Sequence, residues 1–218
     1  MNKKNWPIVP DAMPYALGAF VLSIILYYAF GVLGAVLPAV FLLFTLYFFR
    51  NPERSHEADE LSVISPADGV ILNIEEVEET WFLKAPSLKI SIFLNVFNVH
   101  VNRTPVDGTV EYVYYQAGKF FPAYKGHASH LNERNYVGLR STVNPQFAVL
   151  VVQITGFVAR RIVCWVKEGD ILERGQRFGL IKFGSCTEIY LPKGSVALVK
   201  KGEKVRGGET IIGRLPNE

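Results

Sequence analysis

The chain has 218 residues, of which half are apolar and one fifth are charged, and its formal net charge is +3. This length suits one ordinary domain with an accessory segment and argues against two full domains. The small net charge gives no argument for nucleic-acid binding, although it is compatible with a protein that rests on anionic lipid.

An uncharged, apolar stretch covers residues 12–49. It is roughly twice as long as the ~20 residues that cross a bilayer as a helix. Gly31 and Gly34 divide it, which predicts two spans, at residues 14–30 and 32–49. Residues 1–50 are therefore predicted to form a transmembrane α-helical hairpin.

The charges beside these spans predict their orientation. Lys3 and Lys4 precede the first span, and Arg50 and Arg54 follow the second. Because cytoplasmic flanks carry an excess of Lys and Arg, both ends are expected on the cytoplasmic side of the cell membrane. A shallow hairpin that does not reach the far side is the alternative. A secretory signal peptide is disfavoured, since the stretch is too long for one h-region and has no evident cleavage site.

Residues 51–218 have the composition of a mainly β domain, with no evident amphipathic helix longer than three turns. Short segments rich in Val, Ile, Tyr and Phe alternate with Gly, Pro, Asp or Asn, which predicts antiparallel strands. Residues 118–135 are polar and are predicted to be a long functional loop or a loop with a short helix. The predicted strands are residues 70–74, 88–94, 108–115, 148–155, 161–166 and 195–199.

An internal echo relates residues 166–175 to residues 199–208, with two glycines at the same separation in each. Each segment is typical of a strand, a Gly-Asp or Gly-Glu turn and a second strand. Repeated units of this kind build a sandwich of short strands similar to lipoyl and biotinyl carrier modules. Coincidence among glycine-rich turns is the alternative.

The dipeptide Gly184-Ser185 carries the most informative chemistry. A serine hydroxyl can attack the preceding carbonyl, and β-elimination of the resulting ester then leaves a group that becomes pyruvoyl with release of ammonia. Glycine before the serine suits this reaction, because it has no Cβ to obstruct the attack. The weak nucleophile also needs a base and an oxyanion stabiliser. The dipeptide alone proves nothing, since Gly194-Ser195 repeats it in a context typical of a turn.

The surrounding sequence Phe183-Gly-Ser-Cys-Thr-Glu-Ile-Tyr-Leu-Pro192 resembles the processing site of phosphatidylserine decarboxylases, in their short membrane-hairpin form. Further motifs support the resemblance over essentially the whole chain, in the same order. They are Arg50-Asn-Pro-Glu-Arg54, Ser65-Pro-Ala-Asp-Gly69, Val99-His-Val-Asn-Arg103, Pro105-Val-Asp-Gly108 and Asn132-Glu-Arg-Asn135.

The resemblance implies a pyruvoyl-dependent carbon-carbon lyase that converts phosphatidylserine to phosphatidylethanolamine through a Schiff base. Ser185 would be the processed residue, giving a β chain of residues 1–184 and an α chain of residues 185–218. Asp68 matches the acidic residue that assists self-cleavage, and His100 matches the histidine that assists decarboxylation. From the residues alone, Asp68 is typical of a turn and His100 of a buried core histidine.

One position departs from the family pattern. Larger members carry a second histidine three residues after the one that matches His100, and this chain has Arg103 there. Arginine stays protonated and cannot act as a general base at neutral pH. Either His100 serves both reactions or another group takes the first task, and His127 and His130 are the candidates.

Other expectations concern ligands. Arg103, Lys119 and Arg134 are candidate donors to the lipid phosphate. A pyruvoyl group derived from Ser185 would make an external cofactor or metal unnecessary. Cys164 and Cys186 are predicted to be reduced thiols, since they form no Cys-x-x-Cys pair and no metal-ligand spacing.

Three other interpretations remain open. The chain can be a membrane-tethered carrier or adaptor, a pyruvoyl enzyme for a soluble amino acid, or a degenerate relative that never cleaves. Against a carrier, no lysine occurs in the Met-Lys-Met context of such modules. Against a soluble substrate, two spans would have no purpose. An ether-linked archaeal lipid and an ester-linked one present the same headgroup, so the sequence does not choose between them.

Overall fold

The computed structural model describes residues 6–121, 131–156, 161–182 and 185–217. The chain separates into two compact units, Met1–Glu53 and Arg54–Glu218. The first is helical and the second consists of β strands, which confirms the mainly β class with an N-terminal helical segment.

The helical unit is a hairpin. Helix α1 spans Met13–Phe48 and is interrupted at Gly31, whose φ of 66° and ψ of −156° are not helical. The Ser23 hydroxyl donates to the Ala35 carbonyl over 3.2 Å, although twelve residues of straight helix would hold these positions ~18 Å apart. The chain therefore reverses at Gly31, as the two-span prediction requires, and each arm is about 25–27 Å long.

The two ends of the hairpin are also joined. Val9 N–H donates to the Phe49 carbonyl over 3.0 Å, and Asn51 N–H donates to the Pro7 carbonyl over 2.6 Å. Outward-facing side chains of the arms are apolar and exposed, and the whole segment is long and apolar enough to cross a membrane.

The second unit contains one large and two small antiparallel sheets. The large sheet has eight strands in the order β13-β2-β3-β11-β7-β6-β5-β9, and the small sheets have the orders β1-β14-β12 and β4-β10-β8. The strands are β1 Ser62–Ile64, β2 Gly69–Glu79, β3 Ala85–Leu94, β4 Val101–Arg103, β5 Gly108–Gln116, β6 Arg134–Ser141, β7 Ala148–Thr155, β8 Arg161–Cys164, β9 Ile171–Leu172, β10 Arg177–Lys182, β11 Ser185–Pro192, β12 Val196–Ala197, β13 Lys204–Val205 and β14 Ile211–Arg214.

The principal core lies between the large sheet and the two small ones. Alternate residues of the central strands, such as Ile90 and Ile92 of β3, face this core together with Val63 of β1 and Phe178 of β10. The other face of the large sheet carries a separate cluster that includes Tyr136. We call these the inner and outer faces of the large sheet.

The β unit has an internal two-fold relation. Ser65-Pro-Ala-Asp-Gly69 leads into β2, and Thr104-Pro-Val-Asp-Gly108 leads into β5. Each of these strands has a register shift at the same place, after Ile71 in β2 and after Val110 in β5. The contacts between the two motifs are reciprocal, since Arg103 N–H donates to the Pro66 carbonyl (2.9 Å) and Ile64 N–H donates to the Pro105 carbonyl (3.1 Å).

The echo predicted between residues 166–175 and 199–208 belongs to this relation and is confirmed. Both segments contain two turns with glycine at positive φ, Gly169 and Gly175 in one and Gly202 and Gly208 in the other. The short strand between the turns pairs with an edge of the large sheet in each case, β9 with β5 and β13 with β2.

The two halves are interleaved along the chain. One half consists of β4 to β10 without interruption, whereas the other consists of β1 to β3 followed by β11 to β14. The chain therefore passes between the halves twice, between β3 and β4 and between β10 and β11.

Most predicted strands are confirmed. The prediction for residues 148–155 coincides with β7, and those for 70–74, 88–94 and 108–115 lie inside longer strands. The predictions for 161–166 and 195–199 were too long, because strand pairing ends at Cys164 and Ala197. The strands that were not predicted are β1, β4, β6, β10, β11 and β14, although β11 contains the proposed processing residue. Residues 122–130 of the loop predicted at 118–135 lie outside the described residues, and its last two residues form the start of β6.

Candidate active site

Ser185 is the first residue of β11 and has no exposed surface. Its neighbours across the sheet are Leu94 of β3 and Thr155 of β7. It faces the principal core, because Ile189 and Leu191 on the same side of β11 belong to that core. Its Oγ atom has no hydrogen-bond partner among the described residues. A buried hydroxyl without a partner is unusual in a folded protein and requires an explanation, and the Ser195 hydroxyl is a second example.

His100 lies at the other passage between the halves, immediately before β4, and is 1% exposed. Its Nδ1 is 3.0 Å from the Asn98 carbonyl oxygen, so Nδ1 carries the proton in the neutral ring and Nε2 is the nitrogen that exchanges one. The His100 carbonyl accepts from Ile181 N–H over 3.2 Å. His100 therefore lies beside the strand that leads into Ser185.

Asp68 precedes β2, two strands away from Ser185, which places their backbones about 10 Å apart. Its carboxylate accepts two hydrogen bonds from the Arg54 guanidinium, over 2.5 and 2.9 Å. It accepts a third from Gly207 N–H over 2.9 Å. The carboxylate is thus bonded to Arg54 and not to His100 or Ser185, and its role in cleavage stays a prediction. Arg54 was noted in the sequence only as part of a motif and as a flanking charge.

A chain of buried amides lies beside Ser185 on the inner face, and the sequence did not reveal it. Asn102 Nδ2 donates to Thr187 Oγ1 (3.1 Å) and to the Pro66 carbonyl (3.3 Å). Its Oδ1 accepts from Gln153 Nε2 (2.9 Å), and Gln153 Oε1 accepts from Asn135 Nδ2 (3.0 Å). Asn102, Thr187 and Gln153 have no exposed surface, and Asn135 is 3% exposed.

Glu133 faces the same side of the large sheet as Ser185, at the start of β6. Burial raises its pKa above the ordinary value of 4.5, although hydrogen bonds from Ile162 N–H and the Tyr115 hydroxyl and the charge of Arg161 oppose that rise. The pKa of Tyr115 is also raised, by burial and by the charge of Glu133. The motif Asn132-Glu-Arg-Asn135 pointed to the region of Glu133. The sequence did not show which residue of the motif faces Ser185.

The three cations predicted to bind phosphate do not converge on one position. Arg103 is buried, and its Nη1 donates to the Gly175 carbonyl over 3.0 Å. Arg134 points to the outer face, where its Nη1 donates to the Tyr136 hydroxyl over 3.0 Å. Lys119 is exposed. Their roles toward substrate stay predictions.

Gly184, His127 and His130 lie outside the described residues. Cys164 and Cys186 are unpaired thiols, as predicted, and burial raises the pKa of Cys186 well above its ordinary value. Within the described ranges, no cluster of three or more His, Cys, Asp or Glu side chains is arranged to hold a metal ion.

Comparison with known proteins gives one consistent result. The family model described as phosphatidylserine decarboxylase matches residues 41–213. A protein of Carboxydothermus hydrogenoformans is 61% identical over 192 residues, which cover 84% of this chain and 89% of that protein. A protein of Symbiobacterium thermophilum is 46% identical over 217 residues, covering 99% of this chain and 100% of that protein. Both are named phosphatidylserine decarboxylase proenzyme. The chain therefore belongs to the phosphatidylserine decarboxylase family.

Proposed function

We propose that this chain is a self-processing, pyruvoyl-dependent decarboxylase that converts phosphatidylserine to phosphatidylethanolamine. The observation that carries the proposal is the buried hydroxyl of Ser185, which has no partner among the described residues and lies inside the motif that resembles a processing site, whereas the similarly buried Ser195 hydroxyl lies outside that motif. Family membership and the name proenzyme of the relatives support both the reaction and a cleaved precursor.

Processing begins at the peptide bond between Gly184 and Ser185. The Ser185 Oγ bonds to the Gly184 carbonyl carbon while the C–N bond breaks, and the hydroxyl proton passes to the freed nitrogen, giving an ester. Loss of the Ser185 Cα proton then expels the Gly184 carboxylate from Cβ. The dehydroalanine tautomerises to an imine, and one water molecule converts the imine to pyruvoyl with release of ammonia. A nucleophile of ordinary hydroxyl pKa requires a nearby base for the first step.

The surroundings of Ser185 fit a pyruvoyl group. Ser185 belongs to β11, which pairs with β3 on one side and with β7 on the other. These two ladders fix the backbone position of Ser185 without the peptide bond to Gly184. Its side chain is excluded from water, which favours an electrophilic carbonyl over a hydrated one. When formed, the pyruvoyl group supplies a carbonyl that accepts the electron pair released with CO2.

His100 is proposed to deliver the proton that replaces CO2 on the substrate carbon. Its Nδ1 is anchored on the Asn98 carbonyl, so Nε2 is the ring nitrogen proposed to carry the transferred proton. Asp68 is proposed to assist cleavage by keeping the loop before β2 in place through Arg54 and Gly207, since its carboxylate is bonded to both.

The apolar hairpin is proposed to hold the enzyme in the cell membrane, where its lipid substrate lies, with the β unit on the cytoplasmic side. The length and apolar composition of α1 support membrane insertion. The orientation follows from the positive residues at both ends of the hairpin. Tags at the two termini should therefore both be accessible to protease in inside-out vesicles and protected in right-side-out vesicles.

The decisive experiment compares wild-type protein with Ser185→Ala by intact mass and denaturing electrophoresis. Ser195→Ala is a matched control, because it alters the second Gly-Ser pair, whose Oγ is also buried without a partner. We expect wild type and Ser195→Ala to give a fragment ending at Gly184 and a small fragment with a pyruvoyl end, while Ser185→Ala stays whole. A wild type that remains one intact chain would refute the proposal and favour a membrane-tethered binding module.

A lipid assay completes the test. Processed protein in detergent should release CO2 from phosphatidylserine and yield phosphatidylethanolamine, detected by mass spectrometry. Parallel reactions with ester-linked and ether-linked lipids of the same headgroup would determine whether the linkage matters. Free serine serves as the soluble-substrate control, and its decarboxylation in preference to lipid would contradict the proposed substrate.

A further inference from the structure

The internal two-fold relation allows the buried amide chain to be compared with the same positions in the other half. Asn102 of β4 pairs with Gly179, and at the related position Val63 of β1 pairs with Gly213. Both pairs stand beside the same register shift in their small sheets. Asn102 and Val63 have no exposed surface. The fold thus places an amide and an isopropyl group in equivalent buried positions.

Gln153, the next residue of the buried amide chain, has an apolar counterpart too. A Cβ added at Gly179 would meet the Gln153 amide at 3.0 Å, and one added at Gly213 would meet the Leu191 side chain at 3.1 Å. Gln153 therefore corresponds to Leu191, which belongs to the principal core. The remaining counterparts follow from the strand pairings: Asn135 and Gln153 pair as Leu88 and Leu191 do, and Thr187 pairs with Ile92 as Val149 pairs with Leu139.

Each residue of the buried amide chain, and Thr187 that is bonded to it, thus has an apolar counterpart. These counterparts lie in or against the principal core. The fold can be packed with apolar side chains at these positions, because the other half is packed in that way. Buried amides do not improve on apolar packing unless every polar atom is bonded, and a partly bonded set is worse. Stability alone therefore does not explain why amides occupy these positions. Their location beside Ser185 offers an explanation.

The contacts of Asn102 indicate what that reason is. Thr187 is two residues after Ser185 on the same side of β11, and Pro66 is two residues before Asp68. His100 is two residues before Asn102 itself on the same chain segment. One amide therefore connects the three segments that carry the predicted site residues.

We infer that Asn102 is a positioning residue for self-processing, which holds the β11 segment beginning at Ser185 in register with β4 and with the loop of Asp68. This inference rests on the proposed function. Small displacements of reacting atoms reduce rates by about 10- to 100-fold, so loss of the connection should slow cleavage by that factor. Asn135 reaches Asn102 only through Gln153, because Asn135 Nδ2 donates to Gln153 Oε1 and Gln153 Nε2 donates to Asn102 Oδ1.

The test follows cleavage of full-length protein after cell-free synthesis in detergent, with the half-time read from denaturing gels. Asn102→Val installs the residue that the other half uses, and Asn135→Leu does the same at the far end of the amide chain. We expect Asn102→Val to cleave about 10- to 100-fold more slowly than wild type and Asn135→Leu to stay within about threefold. Melting temperature is recorded for all proteins, since a purely structural role would move stability and rate together in both variants.

A second pair keeps the inference testable if Asn102→Val does not fold. Thr187→Val removes the hydroxyl that accepts from Asn102 at nearly constant volume, and Thr187→Ser retains it. Slow cleavage in the first with recovery in the second supports positioning. The inference is overturned if Asn102→Val or Thr187→Val cleaves at the wild-type rate. In contrast, failure of the wild type itself to cleave would refute the proposed function and not this inference alone.

Discussion

Removing the counter-charge of Asp68 should destabilise the β unit measurably. The Arg54 and Asp68 side chains are 8% and 13% exposed, so their ion pair is largely buried. Removing one partner of such a pair costs about 3–5 kcal/mol, because the other charge stays buried without compensation. Gly207 N–H still donates to Asp68, which favours the lower end, about 3 kcal/mol. For a unit of about 165 residues (54 to 218), this lowers the melting temperature by about 6–12 °C.

The assay is thermal unfolding of Arg54→Met in detergent, since Met preserves most of the side-chain stem. Arg140→Met is the matched control, because the Arg140–Glu111 pair has a similar distance of 3.0 Å but is 38% and 40% exposed. Exposed pairs contribute about 0–1 kcal/mol, so the control should fall by less than about 4 °C. Adding Asp68→Asn to Arg54→Met should restore part of the loss. Equal melting temperatures for the two single variants would refute the assignment of Arg54 as the counter-charge.

Three further predictions concern other residues. His100→Ala should lower decarboxylation by processed protein about 10²- to 10⁴-fold, as measured by CO2 release, and an unchanged rate would remove His100 from proton transfer. Burial raises the pKa of Glu133, so the folded state keeps this proton to higher pH than the unfolded chain, and wild-type stability should fall as pH rises from 4.5 through the raised pKa. Glu133→Gln should abolish that part of the fall, and parallel melting curves against pH would contradict the assignment. Gly208→Asn should lower the melting temperature more than Gly202→Asn. Both glycines have positive φ, but a Cβ at Gly208 would lie 2.5 Å from Arg103 Cδ, whereas a Cβ at Gly202 would face open space. Equal effects would show that Arg103 moves aside.

The sequence was sufficient where local patterns decide the structure. The glycine at position 31 predicted the reversal of the apolar segment, and the strand at 148–155 was predicted with its observed bounds, because buried β-branched runs are distinctive. The echo of glycine turns predicted two strand-turn-strand units. The pair of Pro-x-Asp-Gly motifs at Asp68 and Asp107 was a further signal of the two-fold relation that the sequence analysis did not use.

The site depended on distant pairings that no local pattern contains. The Arg54–Asp68 bond joins residues 14 apart in the sequence and the Asn102–Thr187 bond joins residues 85 apart, and each donor looks like a common surface residue when read alone. Strand β11 was missed because Ser, Cys, Thr and Glu begin it, and because its formation depends on pairing with β3 and β7, which are distant in the sequence. The phosphate-binding predictions named cations by charge, but charge gives no information about which face of a sheet a side chain occupies.

The interleaving of the two halves has a consequence for the order of folding and cleavage and for refolding. A cut between residues 184 and 185 would leave β1 to β10 on one polypeptide and β11 to β14 on another, so that one half would be shared between two chains. β11 lies between β3 and β7 and has no edge through which it could leave without breaking two ladders. Folding must therefore precede cutting, and the cut protein should persist as a kinetically trapped pair. Once unfolded, it would have to reassemble by a concentration-dependent encounter, whereas the uncut precursor refolds as a single chain.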